Sequence, residues 1–174
     1  MSEVFRKAEV KDIERLVEVT YAAYALIREL GLQWPAAHAD YPMVLQNMED
    51  NECYVLEKDG VVVATVTYST SGEAKVITDL PFMKWFAVDP SYSNQGYGGK
   101  LLDWVEQEII QNLHGHSQVT LATAQKHPWL VNMYERRGYE IILEIDTQNG
   151  DGIMYLLRKN IADYAYSGGV LNQA

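Results

Sequence analysis

A single cysteine, Cys53, in a chain of 174 residues excludes an internal disulfide and fits a reducing compartment. No basic residue neighbours it in sequence, so it is also a poor candidate nucleophile. That cysteine and the four histidines are scattered, which leaves no ligand spacing for a structural metal site. Basic residues are few: 14 Lys and Arg stand against 24 Asp and Glu, for a net charge of −10. Such a chain repels phosphate backbones, so nucleic acid is not an expected partner. The longest apolar stretch, residues 60–66, falls far short of the roughly 20 residues of a membrane span, so no membrane association is expected. The opening residues MSEVFRKAEVKD carry no apolar run of the signal-peptide kind, and the expected address is the cytoplasm. Repeats are absent, and no Pro/Ser-rich linker divides the chain.

What remains is an ordinary globular composition, 48% hydrophobic and 22% charged. The length suits one domain, read here as residues 1–160, followed by a tail over 161–174 that holds Ser167-Gly168-Gly169. Residues 4–8 read as a strand. From Asp12, apolar residues at steps of three and four (Ile13, Leu16, Val17, Thr20, Tyr24, Ile27) predict one amphipathic helix ending at Gly31. An irregular loop with Trp34-Pro35 and His38 follows, then a short helix over 42–49. Two β-rich runs, 53–57 and 61–69, flank Asp59-Gly60, a hairpin signal. A strand over 84–88, a helix over 97–112, a strand over 119–124, a helix over 129–137 and strands over 139–146 and 153–158 complete the chain. This order predicts an α/β fold: a mixed, mostly antiparallel central sheet of six to seven strands with helices on both faces.

The most informative segment is Val88-Asp89-Pro90-Ser91-Tyr92-Ser93-Asn94-Gln95-Gly96-Tyr97-Gly98-Gly99-Lys100-Leu101-Leu102. A strand runs through a glycine-rich loop into an amphipathic helix. Glycine lets the backbone approach a ligand, and the first helical turn offers unpaired N–H groups and positive partial charge. Together these suit a phosphate or pyrophosphate. A plain strand-to-helix turn needs glycines for geometry alone and stands as the alternative. A Walker loop is excluded because Gly99-Lys100 is followed by Leu101, and Gly96, Gly98 and Gly99 do not make the dinucleotide fingerprint.

This segment resembles the acetyl-CoA-binding motif of the GNAT family of N-acetyltransferases, Arg/Gln-x-x-Gly-x-Gly/Ala after a Val-x-Pro strand end. It reads here as Ser93-x-x-Gly96-x-Gly98 with Val88-Asp89-Pro90 in register. Ser93 replaces the usual Arg or Gln, and Asn94 replaces the usual glycine; Asn tolerates positive φ better than most residues. The resemblance implies a GNAT-like acyl-CoA acyltransferase fold, with acetyl-CoA as acyl donor and no metal. It implies cofactor contacts from Ser93, Asn94, Gln95, Gly96, Tyr97, Gly98 and Gly99. It also implies β-like hydrogen bonds from the backbone of Phe86, Ala87 and Val88 to the pantetheine arm.

A second segment, His127-Pro128-Trp129-Leu130-Val131-Asn132-Met133-Tyr134-Glu135-Arg136-Arg137-Gly138-Tyr139, resembles the family's Asn-x-x-Ala-x-x-Leu-Tyr-x-x-x-Gly-Phe pattern. His127 stands at the Asn position, which holds the pantetheine arm. Tyr134 stands at the tyrosine that protonates the departing thiolate of CoA. A phenol with a pKa near ~10 is protonated at neutral pH and able to serve a thiolate whose pKa is near ~8.5. Packing of an amphipathic aromatic is the other role open to Tyr134. No Glu precedes the loop as a base; Asp79 reads as a turn residue, and a water chain is equally suited. The resemblance places the acceptor under the loop after the first helix, where Trp34 and His38 are the candidate substrate residues and Tyr24 reads as packing. Between Leu30 and Glu57 there is no Lys or Arg, while Asp40, Glu49, Asp50 and Glu52 are acidic. That charge pattern points to a small cationic amine as acceptor.

The expected activity is therefore direct transfer of an acetyl group from acetyl-CoA to a primary amine. Many members of the family dimerise, so a homodimer is a candidate assembly. A non-catalytic acyl-CoA-binding or sensing module of the same fold, and an anion-binding domain unrelated to CoA, remain open at this level.

Overall fold

The computed structural model describes residues 2–69 and 77–162. In chain order it contains β1 (Glu3–Lys7), a 3₁₀ turn (Val10–Asp12), α1 (Ile13–Ala23), α2 (Ala25–Glu29), a second 3₁₀ turn (Pro35–His38) and α3 (Tyr41–Asp50). Then come β2 (Glu52–Lys58), β3 (Val61–Ser69), β4 (Phe82–Val88), α4 (Tyr97–Trp104), β5 (Gln118–Ala124), α5 (Pro128–Arg136), β6 (Glu140–Asp146) and β7 (Ile153–Asn160). The strands form a mixed α/β sheet of seven strands in the order β1-β2-β3-β4-β5-β7-β6, antiparallel except between β4 and β5.

Local chemistry explains most of these elements. Asp59 and Gly60 both take positive φ and close the β2–β3 hairpin. Asp40 accepts a hydrogen bond from the Met43 N–H and starts α3, with Pro42 in its first turn. The single helix expected from Asp12 to Gly31 is instead broken at Tyr24, whose backbone leaves the helical region at φ −96°, ψ 16°. The apolar period carries across the break because residues on both sides still face the sheet. The helix after the glycine loop also departs from expectation: beyond Trp104 it winds wider, as a π-helix over Val105–Leu113.

Two apolar layers sandwich the sheet. On one face α4 and the start of the π-helix after it pack Leu101, Leu102 and Val105 against Leu56, Val66 and Leu121. On the other, α1 and α3 pack Ile13, Leu16 and Val44 against Cys53 and Val55. Glu106 is fully buried on the α4 side, where it accepts hydrogen bonds from Tyr139 Oη at 2.6 Å and Lys159 Nζ at 2.7 Å. A buried charge of this kind is tolerated because both its oxygens are engaged, and it ties the π-helical segment to the strands beyond α5. Ile161 is fully buried in the same core. The Ser167-Gly168-Gly169 tail lies outside the described residues.

The site-forming feature is the meeting of β4 and β5. They are paired at one position alone, Phe82 with Thr120, where the Thr120 N–H and Oγ1 both donate to Pro81 O at 2.7 and 2.8 Å. Beyond that point the strands diverge, and each leaves backbone groups facing the gap.

Candidate active site

Within β4 the register against β3 slips: Thr67 pairs with Lys84 and Thr65 with Ala87, so Trp85 and Phe86 oppose a single residue. This is a β-bulge, and Trp85 carries its strain at φ +54°. The bulge changes which way side chains point. Lys84 and Trp85, neighbours that ordinary pleating would send to opposite faces, both reach the α1 side, where Trp85 packs with the α1–α3 core. Phe86 then turns to the α4 side.

Two adjoining cavities lie along the gap. The smaller, about 130 Å³, is bounded by Phe86, Leu121, His127, Leu130 and Tyr134. The larger, about 470 Å³, is bounded by Pro35, Ser69, Ile77, Phe82 and Met154. Tyr24, Trp34, Met83, Lys84, Trp85 and Ala122 line both and mark the junction. Lys84 is the one charged side chain among the described lining residues of either cavity.

Tyr134 comes from α5 and is 6% exposed, edge-on to Tyr139 at 5.7 Å. Burial pushes its phenol well above the ordinary tyrosine range, with nearby Arg137 pulling the other way. Tyr24 is half-buried, and its phenol is raised first by loss of solvent and then by the neighbouring Tyr134. Both tyrosines line the smaller cavity. Tyr24 sits at the helix break, edge-on to Trp34 at 6.4 Å, and packs with it against Ile27, Leu32, Ala37 and Ala124, as the packing reading expects, while it also lines both cavities. His127 precedes α5, is 8% exposed, and is held below the ordinary histidine range by burial, so its ring is neutral at pH 7.

The glycine loop divides into parts with different duties. Ser93 Oγ donates to Pro90 O at 2.9 Å, and Asn94 takes φ +62°. Gly96 caps α4 at φ +83°, and a Cβ there would meet nothing within 4 Å. The loop is therefore open at Gly96, with Gln95 exposed beside it and the first N–H groups of α4 following. Gly98 and Gly99 are different. A Cβ on Gly98 would come within 2.8 Å of both Phe86 Cζ and Val88 Cγ2, and one on Gly99 within 3.2 Å of Arg137 Nη1. These two glycines let α4 lie close on β4 and beside α5. Tyr97 turns its ring into the core against Tyr92, leaving its backbone to the loop.

On the acceptor side, Trp34 reaches both cavities and His38 reaches neither. The 3₁₀ turn buries Ala36 and Ala37 and rotates His38 to solvent. The acidic residues that pointed to a cationic acceptor also lie elsewhere. Asp40 caps α3, Asp50 accepts from Gln46, Glu52 binds Tyr54 and His114, and Glu49 is exposed. None of the four lines a cavity, so the electrostatic premise for that acceptor fails. Asp79 is exposed and lines neither cavity. Lys84, Ser69 and the bulge at Trp85 carried no signal in the sequence, because they matter through register.

The arrangement offers an open, glycine-capped helix start for phosphates and a strand edge for an extended arm. A buried phenol and an apolar chamber lie beyond. The model of the Acetyltransferase (GNAT) family matches residues 21–139. The chain is 42% identical over 156 residues to the S-(2-succino)cysteine N-acetyltransferase of Bacillus subtilis (strain 168), covering 89% of this chain and 94% of that one. It is 39% identical over 154 residues to the S-alkylcysteine N-acetyltransferase of the same organism, covering 87% and 86%. Among solved structures, the ribosomal-protein-S18-alanine N-acetyltransferase from Escherichia coli superposes with a TM-score of 0.70 at 18% identity, covering 95% of this chain and 98% of that one. The PaiA N-acetyltransferase from Thermoplasma acidophilum, in complex with coenzyme A, gives 0.69 at 17% identity, covering 92% and 99%.

Proposed function

The chain belongs to the GNAT acetyltransferase family and is an acetyl-CoA-dependent N-acetyltransferase; on that premise we propose that its acceptor is the α-amine of an S-substituted cysteine. The observation that carries the reading is the similarity, over most of both chains, to two enzymes named for S-substituted cysteines. The larger cavity supports it: at about 470 Å³ and mostly apolar, it suits a thioether amino acid better than a polyamine.

The residues present fit acetyl-CoA. The open φ +83° start of α4 at Gly96, with Asn94 and Gln95 before it, would hold the pyrophosphate through backbone N–H groups. The edge of β4 at Phe86–Val88 would hold the pantetheine arm, with His127 on the opposite wall. When bound, acetyl-CoA supplies a thioester carbonyl as electrophile and a thiol as leaving group.

The chain's own groups then orient the amine and manage protons. Tyr24, Trp34 and Lys84 define the junction where the amine meets the carbonyl. Tyr134 donates its proton to the departing sulfur. The burial that raises its phenol would raise a thiol in the same cleft in the same direction, so donor and acceptor of the proton stay matched. No carboxylate lines either cavity among the described residues, so the amine loses its proton to water through the larger chamber before attack. Transfer is direct, since Cys53 is buried away from the gap with its thiol pushed up by burial.

The test is a CoA-release assay over a panel of S-substituted cysteines, polyamines and basic peptides. The reading requires turnover with S-substituted cysteines at a kcat/KM at least about tenfold above the cationic acceptors, a gap of ~1.4 kcal/mol. Preference for a polyamine overturns it.

A further inference from the structure

The turn between β6 and β7, residues 147–152, has no part in the chemistry above, yet it is tied to loops on both sides of the gap. It adjoins the end of β5, where Ala124 pairs with Met154. On the cofactor side, just before His127, the Gln125 N–H donates to Ile153 O at 3.0 Å and Lys126 Nζ donates to Gly150 O at 2.9 Å. On the acceptor side, the Gln33 N–H donates to both carboxylate oxygens of Asp151, at 3.0 and 3.2 Å. Gln33 Nε2 also donates to Asn149 O at 2.9 Å. Asp151 and Gln33 are 118 positions apart, so only the tertiary fold brings them together.

Asp151 is the informative member of this set. It is 4% exposed, and a carboxylate is costly to bury unless its oxygens are engaged. Here both turn to one backbone N–H, and hydrogen bonds to a charged group are the stronger kind. The Asp151 N–H donates in turn to Asn149 Oδ1 at 3.0 Å, which fixes the backbone that carries the carboxylate. The residue after Gln33 is Trp34, which lines both cavities. Downstream, Pro35 keeps Trp34 extended at φ −80°, ψ 129°, and the Trp34 carbonyl accepts from the Ala37 N–H at 3.0 Å. Those restraints are local to the loop. The bonds to Asp151 and Asn149 fasten the loop to the β6–β7 turn, and the Asn149 bond is exposed and hangs on a flexible side chain.

We propose that Asp151 is a positioning residue for the acceptor: through the Gln33 N–H it holds Trp34 at the junction of the two cavities. Asp151 itself lines neither cavity and acts through Trp34. The proposal stands on the N-acetyltransferase activity and on the place of Trp34, whichever amine is the acceptor.

The experiment compares the full chain with its Asp151→Asn, Asp151→Ala and Trp34→Ala variants and with the Asp151→Ala/Trp34→Ala double variant. The acceptor is the amine of the panel above that turns over best. Steady-state kinetics at saturating acetyl-CoA give kcat and KM, calorimetry gives acetyl-CoA affinity, and mass spectrometry follows hydrogen exchange in the peptide spanning residues 32–37. Asp151→Ala should raise the acceptor KM by about tenfold, with kcat within a factor of about three and acetyl-CoA Kd within about twofold. Exchange in the peptide should quicken by about tenfold or more. Asp151→Asn keeps an oxygen that accepts from the Gln33 N–H, so its KM should stay within about threefold of the parent. In the Trp34→Ala background, Asp151→Ala should add less than about twofold, because the residue it acts through is gone. An unchanged KM, an asparagine variant as impaired as the alanine one, or the full effect in both backgrounds overturns the proposal. So does a loss of acetyl-CoA affinity as large as the rise in KM, which a role in folding alone would give. A polyamine as the best acceptor overturns the S-substituted cysteine reading and leaves this test intact.

Discussion

Replacing Gly98 with valine separates two duties of the glycine loop. The motif places Gly98 among residues that approach phosphate, yet its Cβ direction points at the sheet, 2.8 Å from Phe86 Cζ and 2.8 Å from Val88 Cγ2. Carbon atoms rest at about 3.5–4.0 Å, so nearly 1 Å of movement is needed in two directions at once. The Phe86 ring tip has room to swing into the smaller cavity that it lines, but Val88 is β-branched and stiff. Overpacking of this kind costs about 1–3 kcal/mol. For alanine, the better helix propensity returns up to ~1 kcal/mol, leaving a net loss of about 0–2. Valine regains less and adds two methyls, so a loss of about 2–3 kcal/mol is expected. For a chain of this size each kcal/mol lowers Tm by roughly 2–4 °C, so Gly98→Val should melt about 4–12 °C below the parent. The strand that must move is the one assigned to the pantetheine arm, so acetyl-CoA affinity should fall by about tenfold as well. Thermal melting followed by circular dichroism and calorimetric titration with acetyl-CoA read the two effects. A Gly98→Val protein with an unshifted melt and full affinity would refute the close packing of α4 on β4, and with it the reasoning.

The companion variant Gly96→Ala meets no neighbour but must adopt φ +83°, a strain of about 1–2 kcal/mol for an L-residue; acetyl-CoA affinity should drop by about tenfold, and a calorimetric Kd equal to that of the parent counts against the open phosphate cradle. Tyr134→Phe should lower kcat by about 10²–10⁴-fold with acetyl-CoA affinity nearly kept; a loss under about threefold returns Tyr134 to packing. Because burial raises the Tyr134 phenol, its protonated form persists to higher pH than in a free tyrosine, so log kcat/KM should rise as the acceptor amine deprotonates and then stay level through about pH 9.5; a falling limb near pH 8 would contradict the assignment. Tyr24, Tyr134 and Tyr139 are raised in the fold, so their contribution to stability is full below the unfolded tyrosine pKa of about 10 and is lost as pH climbs from there. Melting temperatures should therefore fall above about pH 10, and Tyr139→Phe should lessen the fall; a melting curve indifferent to alkali would refute this.

The strands, the Asp59-Gly60 hairpin, the glycine-rich start of α4 and the tyrosine of α5 were legible in the sequence because each rests on local chemistry. Alternation, period and turn residues act within a few positions of one another. So was the positive φ of Asn94, since that tolerance belongs to the residue type. The tertiary structure decided what depends on register and direction. Gly96 and Gly98 look alike in a motif, but one opens to solvent and the other abuts β4, because Gly96 caps the helix in the left-handed region while Gly98 lies on the helical face turned to the sheet. His38 and Trp34 share a loop, and a single 3₁₀ turn separates their fates. Asp40, Glu49, Asp50 and Glu52 form an acidic stretch in sequence, yet α3 and its flanking residues disperse them over surfaces remote from the gap. Lys84 joins Ser69 because β3 and β4 pair antiparallel, and it joins Trp85 because one extra residue bulges β4. Both are long-range pairings, set by the hydrophobic faces the sheet must bury and invisible to any window of neighbouring residues.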